Sequence, residues 1–266
     1  MSSAAQLVAQ IKAATPVEIP EHTFDVFLEG DPDREVERIA VTMMATYEVL
    51  EATVAAGCQL LMTHEALYYN HKDEYRTLLA EINDPVFKAK RDYIRQHELV
   101  VCRWHDQWHQ IVPDGINVGI AQAMGWELAE ADPGVADISP ITLGELLDQI
   151  EVKLGATSLR YAGDPKMSVA RVGLDVGYRG FARNRELIAR PDIDVAIIGE
   201  AWEWEVGEYA VDTVHLDSRA GKPKAVVVTG HVPSEQMGME YFARWLADVV
   251  DVPVEFIATR DLYKSW

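Results

Sequence analysis

The sequence predicts an α/β protein in which largely parallel sheets are flanked by helices. Two observations carry that class. Short apolar, β-branched runs alternate with longer stretches of helical spacing, the signature of βαβ units. The runs are apolar on both faces, as strands covered by helices on either side require. Two segments rich in acid, Pro and Gly or in polar turn residues, Glu130–Pro140 and Ser218–Pro223, are linker candidates and set the middle of the chain apart as its own lobe.

The first strand is expected within Arg38–Met44. Thr46 then N-caps a helix through Val49, Leu50 and Val54, which Gly57 ends. Gln59–Met62 forms the second strand. Asp84 and Pro85 are an N-cap and a first-turn proline, and the helix they open carries Val86, Ala89, Tyr93 and Ile94 on one face. Leu99–Cys102 is the third strand. Beyond the first linker, Thr142 caps a helix through Leu146, Leu147, Ile150 and Leu154. Strands follow at Val169–Leu174, Val195–Ile198 and Ala225–Val228. The last helix starts at Pro233 and Ser234, puts Glu235 in its first turn, and buries Met239, Phe242, Ala243, Leu246 and Val250.

Composition narrows the function classes. The 266 residues include 43 Asp and Glu against 24 Lys and Arg, a formal net charge of -19, so phosphate backbones and anionic membranes are excluded as partners. No uncharged run approaches the ~18 residues a membrane helix needs. The N-terminal stretch, with an early Lys12, lacks the basic-then-apolar pattern of a signal peptide. Cys58 and Cys102 lie in strand-like runs and read as buried reduced thiols. A cytoplasmic protein is expected.

The eight histidines are the most informative feature. His64 follows the second strand, His105 and His109 follow the third, and His231 follows Ala225–Val228. In open parallel sheets, ligands bind beyond the carboxyl ends of the strands. Glu65, Asp106 and Glu235 accompany these histidines. One histidine at a strand end is most often a loop or capping residue, but the same chemistry at three strand ends points to a metal. Imidazole with carboxylate suits Zn, Mn, Fe, Co or Ni. His22, His71, His97 and His215 read as ordinary loop, turn or helix-end residues. Glu200–Glu205, with Trp202 and Trp204, is a solvated acidic loop or a pocket wall, and Gly177–Gly180 with Arg179 is a weak anion-binding turn. Nucleotide-binding glycine loops, a nucleophile elbow and a zincin helix are all absent from the sequence.

These residues resemble the NIF-three-like family, often labelled type 2 homologues of GTP cyclohydrolase I. Gly30–Val36 is similar to its opening, and Leu61–Tyr69 to its strand followed by His-His-Pro-Leu. Arg103–His109 has the spacing of its H-x-x-x-D element, Ile198–Glu200 resembles its T-G-[DE] turn, and Gly230–Glu235 its G-H-x-x-x-E signature. The resemblance implies a two-lobed subunit, with residues 1–130 and 223–266 as a metal-bearing lobe and 131–222 as the middle lobe. It places the metal site at strand carboxyl ends between the lobes and implies a homohexamer. The implied ligands are His64, Glu65, His109, His231 and Glu235, holding one or two divalent transition-metal ions per chain. Glu65 stands where the family has its second His, and His109 where it has Asp, so imidazole and carboxylate are exchanged at a constant total. An imidazole cannot bridge two ions as a carboxylate can, and His105 then enters as a ligand or as the group orienting a bound water. Tyr68, Trp104 and Trp108 line the mouth or pack in the core.

Two functions follow. One is a metal-dependent hydrolase of a small phosphate- or purine-containing molecule, with Glu65 or Glu235 accepting the proton of a bound water. The other is a non-catalytic, metal-stabilised oligomeric scaffold or regulatory interaction protein.

Overall fold

The computed structural model describes residues 2–18 and 21–266. In chain order the elements are α1 (Ala4–Ala14), β1 (Phe27–Glu29), β2 (Ile39–Thr42), α2 (Tyr47–Ala55), β3 (Leu60–Thr63), α3 (Tyr75–Glu81), α4 (Pro85–Gln96), β4 (Val100–Arg103) and α5 (Asp106–Gln110). They continue with α6 (Gly115–Met124), β5 (Glu127–Ala129), β6 (Asp132–Thr142), α7 (Leu143–Leu154), β7 (Arg160–Ala162), β8 (Ser168–Asp175), α8 (Gly180–Ile188) and β9 (Val195–Ile198). The last are α9 (Glu208–Arg219), β10 (Ala225–Val228), α10 (His231–Val249) and β11 (Val254–Phe256). No helix among the described residues is long and apolar enough to cross a membrane.

Two compact units divide the chain. The first holds the residues through Gly115 together with Met239–Thr259. Its five-stranded sheet has the order β1-β4-β3-β2-β11, parallel throughout except for the β1 edge. Strands β2, β3 and β4 are buried at every position, as central parallel strands must be. The expected caps are present: Thr46 Oγ1 accepts from the Val49 amide, and an Asp84 carboxylate oxygen accepts from the Phe87 amide at 2.8 Å. The buried face of α4 differs from the sequence reading. It is Phe87, Lys90 and Ile94, while Val86 and Ala89 face solvent. Lys90 buries its aliphatic stem and sends its ammonium to the Leu67 carbonyl at 2.7 Å, which a polar residue type does not announce.

Tyr68, Trp104 and Trp108 are core rather than mouth residues, each at most 1% exposed. Trp104 and Trp108 both pack on Phe242, with ring centroids 5.7 and 4.9 Å away, and Tyr68 packs on Phe87 at 4.7 Å. Cys58 and Cys102 are buried thiols without a disulfide, and burial pushes them up to about 11 and about 12.

The second unit holds Ile116–Gly238 and Arg260–Trp266. Its six strands run β5-β6-β8-β9-β10-β7, with only the β8-β9-β10 centre parallel. The sheet is therefore mixed, not largely parallel. The segment read as the first linker forms β6, antiparallel to both β5 and β8. Its prolines are accommodated where the ladders slip: Pro140 falls in the register break between Asp137 and Ile141, and Pro133 lies beyond the last β6–β8 pair at Val135. The strand expected with the chain ends, β10, pairs instead with β9 and β7, so it belongs to this second sheet. Helix α9 runs through Arg219 into the second linker segment, and α10 begins at His231, ahead of Pro233.

Candidate metal centre

In the first unit, β3 and β4 lie in parallel register with Thr63 opposite Arg103, so the chain leaves both strands side by side. His64 follows one strand and Trp104-His105 the other. Helix α5 then puts His105 and His109 one turn apart on a common face. This helix has no capping side chain of its own. Asp25, fully buried, replaces it from a distance: its carboxylate accepts from the amides of His105, Asp106 and Gln107. A carboxylate at a helix N-terminus meets both the orphan amides and the dipole.

The imidazoles of His64, His105 and His109 converge. Ring centroids are 4.5 Å apart for His64–His105, 5.0 Å for His64–His109 and 4.8 Å for His105–His109. Each ring has its Nδ1 against an oxygen: His64 on the Trp104 carbonyl at 3.1 Å, His105 on Asp106 at 2.9 Å, and His109 on Asp114 at 2.8 Å. Asp106 is tied down on every side. Burial works to raise it, but hydrogen bonds from His105, the Phe24 amide and Thr23 outweigh burial and hold it well below the usual carboxylate range.

Glu65 lies beside the cluster, with Oε1 3.9 Å from His105 Nε2. Its Oε2 accepts from Arg103 Nη2 at 3.1 Å. Arg103 is buried, and it also reaches the His64 carbonyl, the His71 carbonyl and His71 Nδ1. His71, read from sequence as an ordinary loop residue, is thereby drawn against Glu65 and His105. Burial lowers its pKa, the Arg103 charge adds to that, and Glu65 opposes it. Among the described residues of this unit, two groups offer donor atoms within 4.8 Å of one another: His64 with His105 and His109, and Glu65 with His71 and His105. These groups could hold a metal ion. The donor set fits a transition metal, since neutral imidazoles oriented by outer oxygens are its usual first ligands.

In the second unit, Gly177, Glu200 and His231 follow β8, β9 and β10 within two or three residues. His231 Nε2 stands 3.0 Å from Glu235 and its Nδ1 3.3 Å from Glu200. Gly177 has φ +69°, a backbone conformation that side chains rarely adopt, and a Cβ there would meet the Glu235 carboxylate. The neighbouring Arg179 does not offer an anion site; it turns back to the Val176 carbonyl and the Asp175 carboxylate. Of the implied ligands, the structure thus brings His64, Glu65 and His109 together in one unit, and His231 with Glu235 in the other. His22 and His215 are exposed, and His97 ends α4 with its ring on Tyr93. Sequence reasoning missed Asp25, Asp114 and His71, which reach the cluster from loops; only Asp114, five residues after His109, had a local signal.

The chain matches the family model Duf34/NIF3 (NGG1p interacting factor 3) over residues 6–261. It is 21% identical over 266 residues to a GTP cyclohydrolase 1 type 2 homolog of Clostridium perfringens, covering 94% of each chain. Among solved structures it is similar to a Bacillus cereus protein related to NIF3, with a TM-score of 0.74 at 12% identity over 99% of both chains. A hypothetical protein of Staphylococcus aureus also gives a TM-score of 0.74, at 16% identity and 99% coverage of both. The structural likenesses establish the fold.

Proposed function

The chain belongs to the Duf34/NIF3 family, and from that membership we propose a metal-dependent hydrolase of a small phosphate- or purine-containing molecule. The observation that carries the reading is the set of three converging imidazoles, each with Nδ1 held by an oxygen. Family resemblance adds Glu65, His231 and Glu235 to His64 and His109 as ligands of one or two divalent transition-metal ions. When bound, such an ion lowers the pKa of a coordinated water and polarises the scissile group. The protein's own residues do the rest. Asp106, Asp114 and the Trp104 carbonyl fix the imidazole tautomers. Arg103 anchors one oxygen of Glu65, and Glu65 or Glu235 accepts the proton of the attacking water. A purine-containing substrate accords with the name of the C. perfringens relative.

One observation favours a second reading, a metal-stabilised scaffold or regulatory interaction protein. Trp202 and Trp204 stack at 5.4 Å while 51% and 70% exposed, at a short π-helical turn (Glu203–Gly207) that also carries Glu205. Elemental analysis of tag-free protein, before and after incubation with divalent metals, is the first test. Less than about one-tenth of a metal per chain in both states rejects both readings. Replacing His231 by Ala then separates them. The hydrolase loses phosphatase or nucleotide-hydrolysing activity at unchanged melting temperature, whereas the scaffold loses assembly or melts earlier.

A further inference from the structure

The two donor groups of the first unit share His105, and the hydrogen bonds around them tell the groups apart. A neutral imidazole carries its proton on one nitrogen and its lone pair on the other. Trp104 offers a carbonyl and Asp106 and Asp114 offer carboxylates, all acceptors, so Nδ1 is the protonated nitrogen of His64, His105 and His109. The lone pair of each ring is then on Nε2. At His71 the polarity is reversed. A guanidinium can only donate, so Arg103 Nη2, 2.9 Å away, places the His71 lone pair on Nδ1 and uses it there. The same Nη2 takes up Glu65 Oε2. The Glu65–His71–His105 group is therefore partly discharged by a buried, permanent cation, which repels a second cation at its side.

Resting on the metal reading above, we propose that His105 is a metal ligand: the first unit holds a single ion on His64, His105 and His109, with His71 and Asp106 outside the ligand set. His105 supplies the third imidazole beside His64 and His109. Asp106 serves by aiming that ring, because it already accepts from Thr23 Oγ1, the Phe24 amide and His105 Nδ1 at 2.7–2.9 Å. His71 and Arg103 hold Glu65 in place. Three imidazoles suit zinc or cobalt(II).

Cobalt(II) is the probe, added to chelator-stripped, tag-free full chain and read by its visible absorption and by dialysis. His105→Gln is expected to weaken cobalt binding on the order of 100-fold or more and to change the visible band, while His71→Gln stays within about threefold. His105→Gly with imidazole in the buffer should recover the band, which a merely structural role would not allow. Circular dichroism of the metal-free variants checks that they fold. No cobalt uptake by the unmodified chain overturns the metal reading and this assignment with it. Uptake that His105→Gln leaves unchanged in affinity and spectrum, or that His71→Gln abolishes, overturns the assignment alone.

Discussion

Lys90 shows how a single residue can hide its role in the sequence. It lies on the buried face of α4, 5% exposed, with its ammonium on the Leu67 carbonyl and 5.1 Å from the Tyr69 ring centroid. Desolvation brings its pKa down to about 8 from 10.5. Below pH 8 both folded and unfolded chains are protonated, and the fold bears the cost of a buried charge. Between pH 8 and 10.5 the unfolded chain keeps a proton that the folded chain has released, so stability rises with pH through this window. Lys90→Met removes the effect. Urea unfolding of both proteins should show the stability difference moving toward the native lysine by about 2 kcal/mol between pH 7 and pH 9.5. An unchanged difference at the two pH values would refute the buried-charge account.

At the scale of elements, helix α5 is the clearest case of structure written outside its own segment. It is five residues long, carries His109 and starts directly after His105, and its first amides are capped by a carboxylate some eighty residues away in the chain. Asp25→Ala leaves three amides without their acceptor in a buried setting, and bonds to charged groups contribute roughly 1.5–3 kcal/mol each. We expect a loss of about 4 kcal/mol in urea unfolding of the metal-free protein, a smaller loss for Asp25→Asn, and weakened cobalt binding for both; a change under 1 kcal/mol for Asp25→Ala would show that α5 needs no remote cap. The contrast with α2, α4 and α7 explains what the sequence revealed. Their caps, Thr46, Asp84 and Thr142, sit within three residues of the amides they satisfy, and the box of Thr142 with Glu145 is complete. Central strands were equally plain, because burial on both faces demands continuous apolar runs. The β5–β6 pair was not, because its partners are chosen across the sheet and its prolines resemble a linker. The histidines at strand ends stood out for the same local reason as the caps. His71 did not, since only the long reach of Arg103 from the end of β4 brings it to Glu65.

For the whole molecule, the charge imbalance gains a structural explanation. Many guanidiniums are matched internally: Arg76 and Arg95 on Glu29, Arg103 on Glu65, Arg190 on Asp132 and Asp192, and Arg171 on Asp137. With 24 cations set against 43 acidic residues, such pairing spends much of the positive charge inside each unit and leaves the surplus acid to solvent. Chains of net charge -19 repel one another over the Debye length, about 30 Å at 0.01 M salt and about 8 Å at 0.15 M. A homohexamer, which the family resemblance implies, would form against that repulsion, so its assembly should strengthen as salt screens it, the reverse of an assembly held by opposite charges. Light scattering on the full chain should give six times 29.8 kDa at 0.5 M sodium chloride, with smaller species growing in at 0.01 M. A mass of 29.8 kDa at both salt concentrations would reject the hexamer, and assembly that weakens with salt would place complementary charges, not apolar contacts, between the copies.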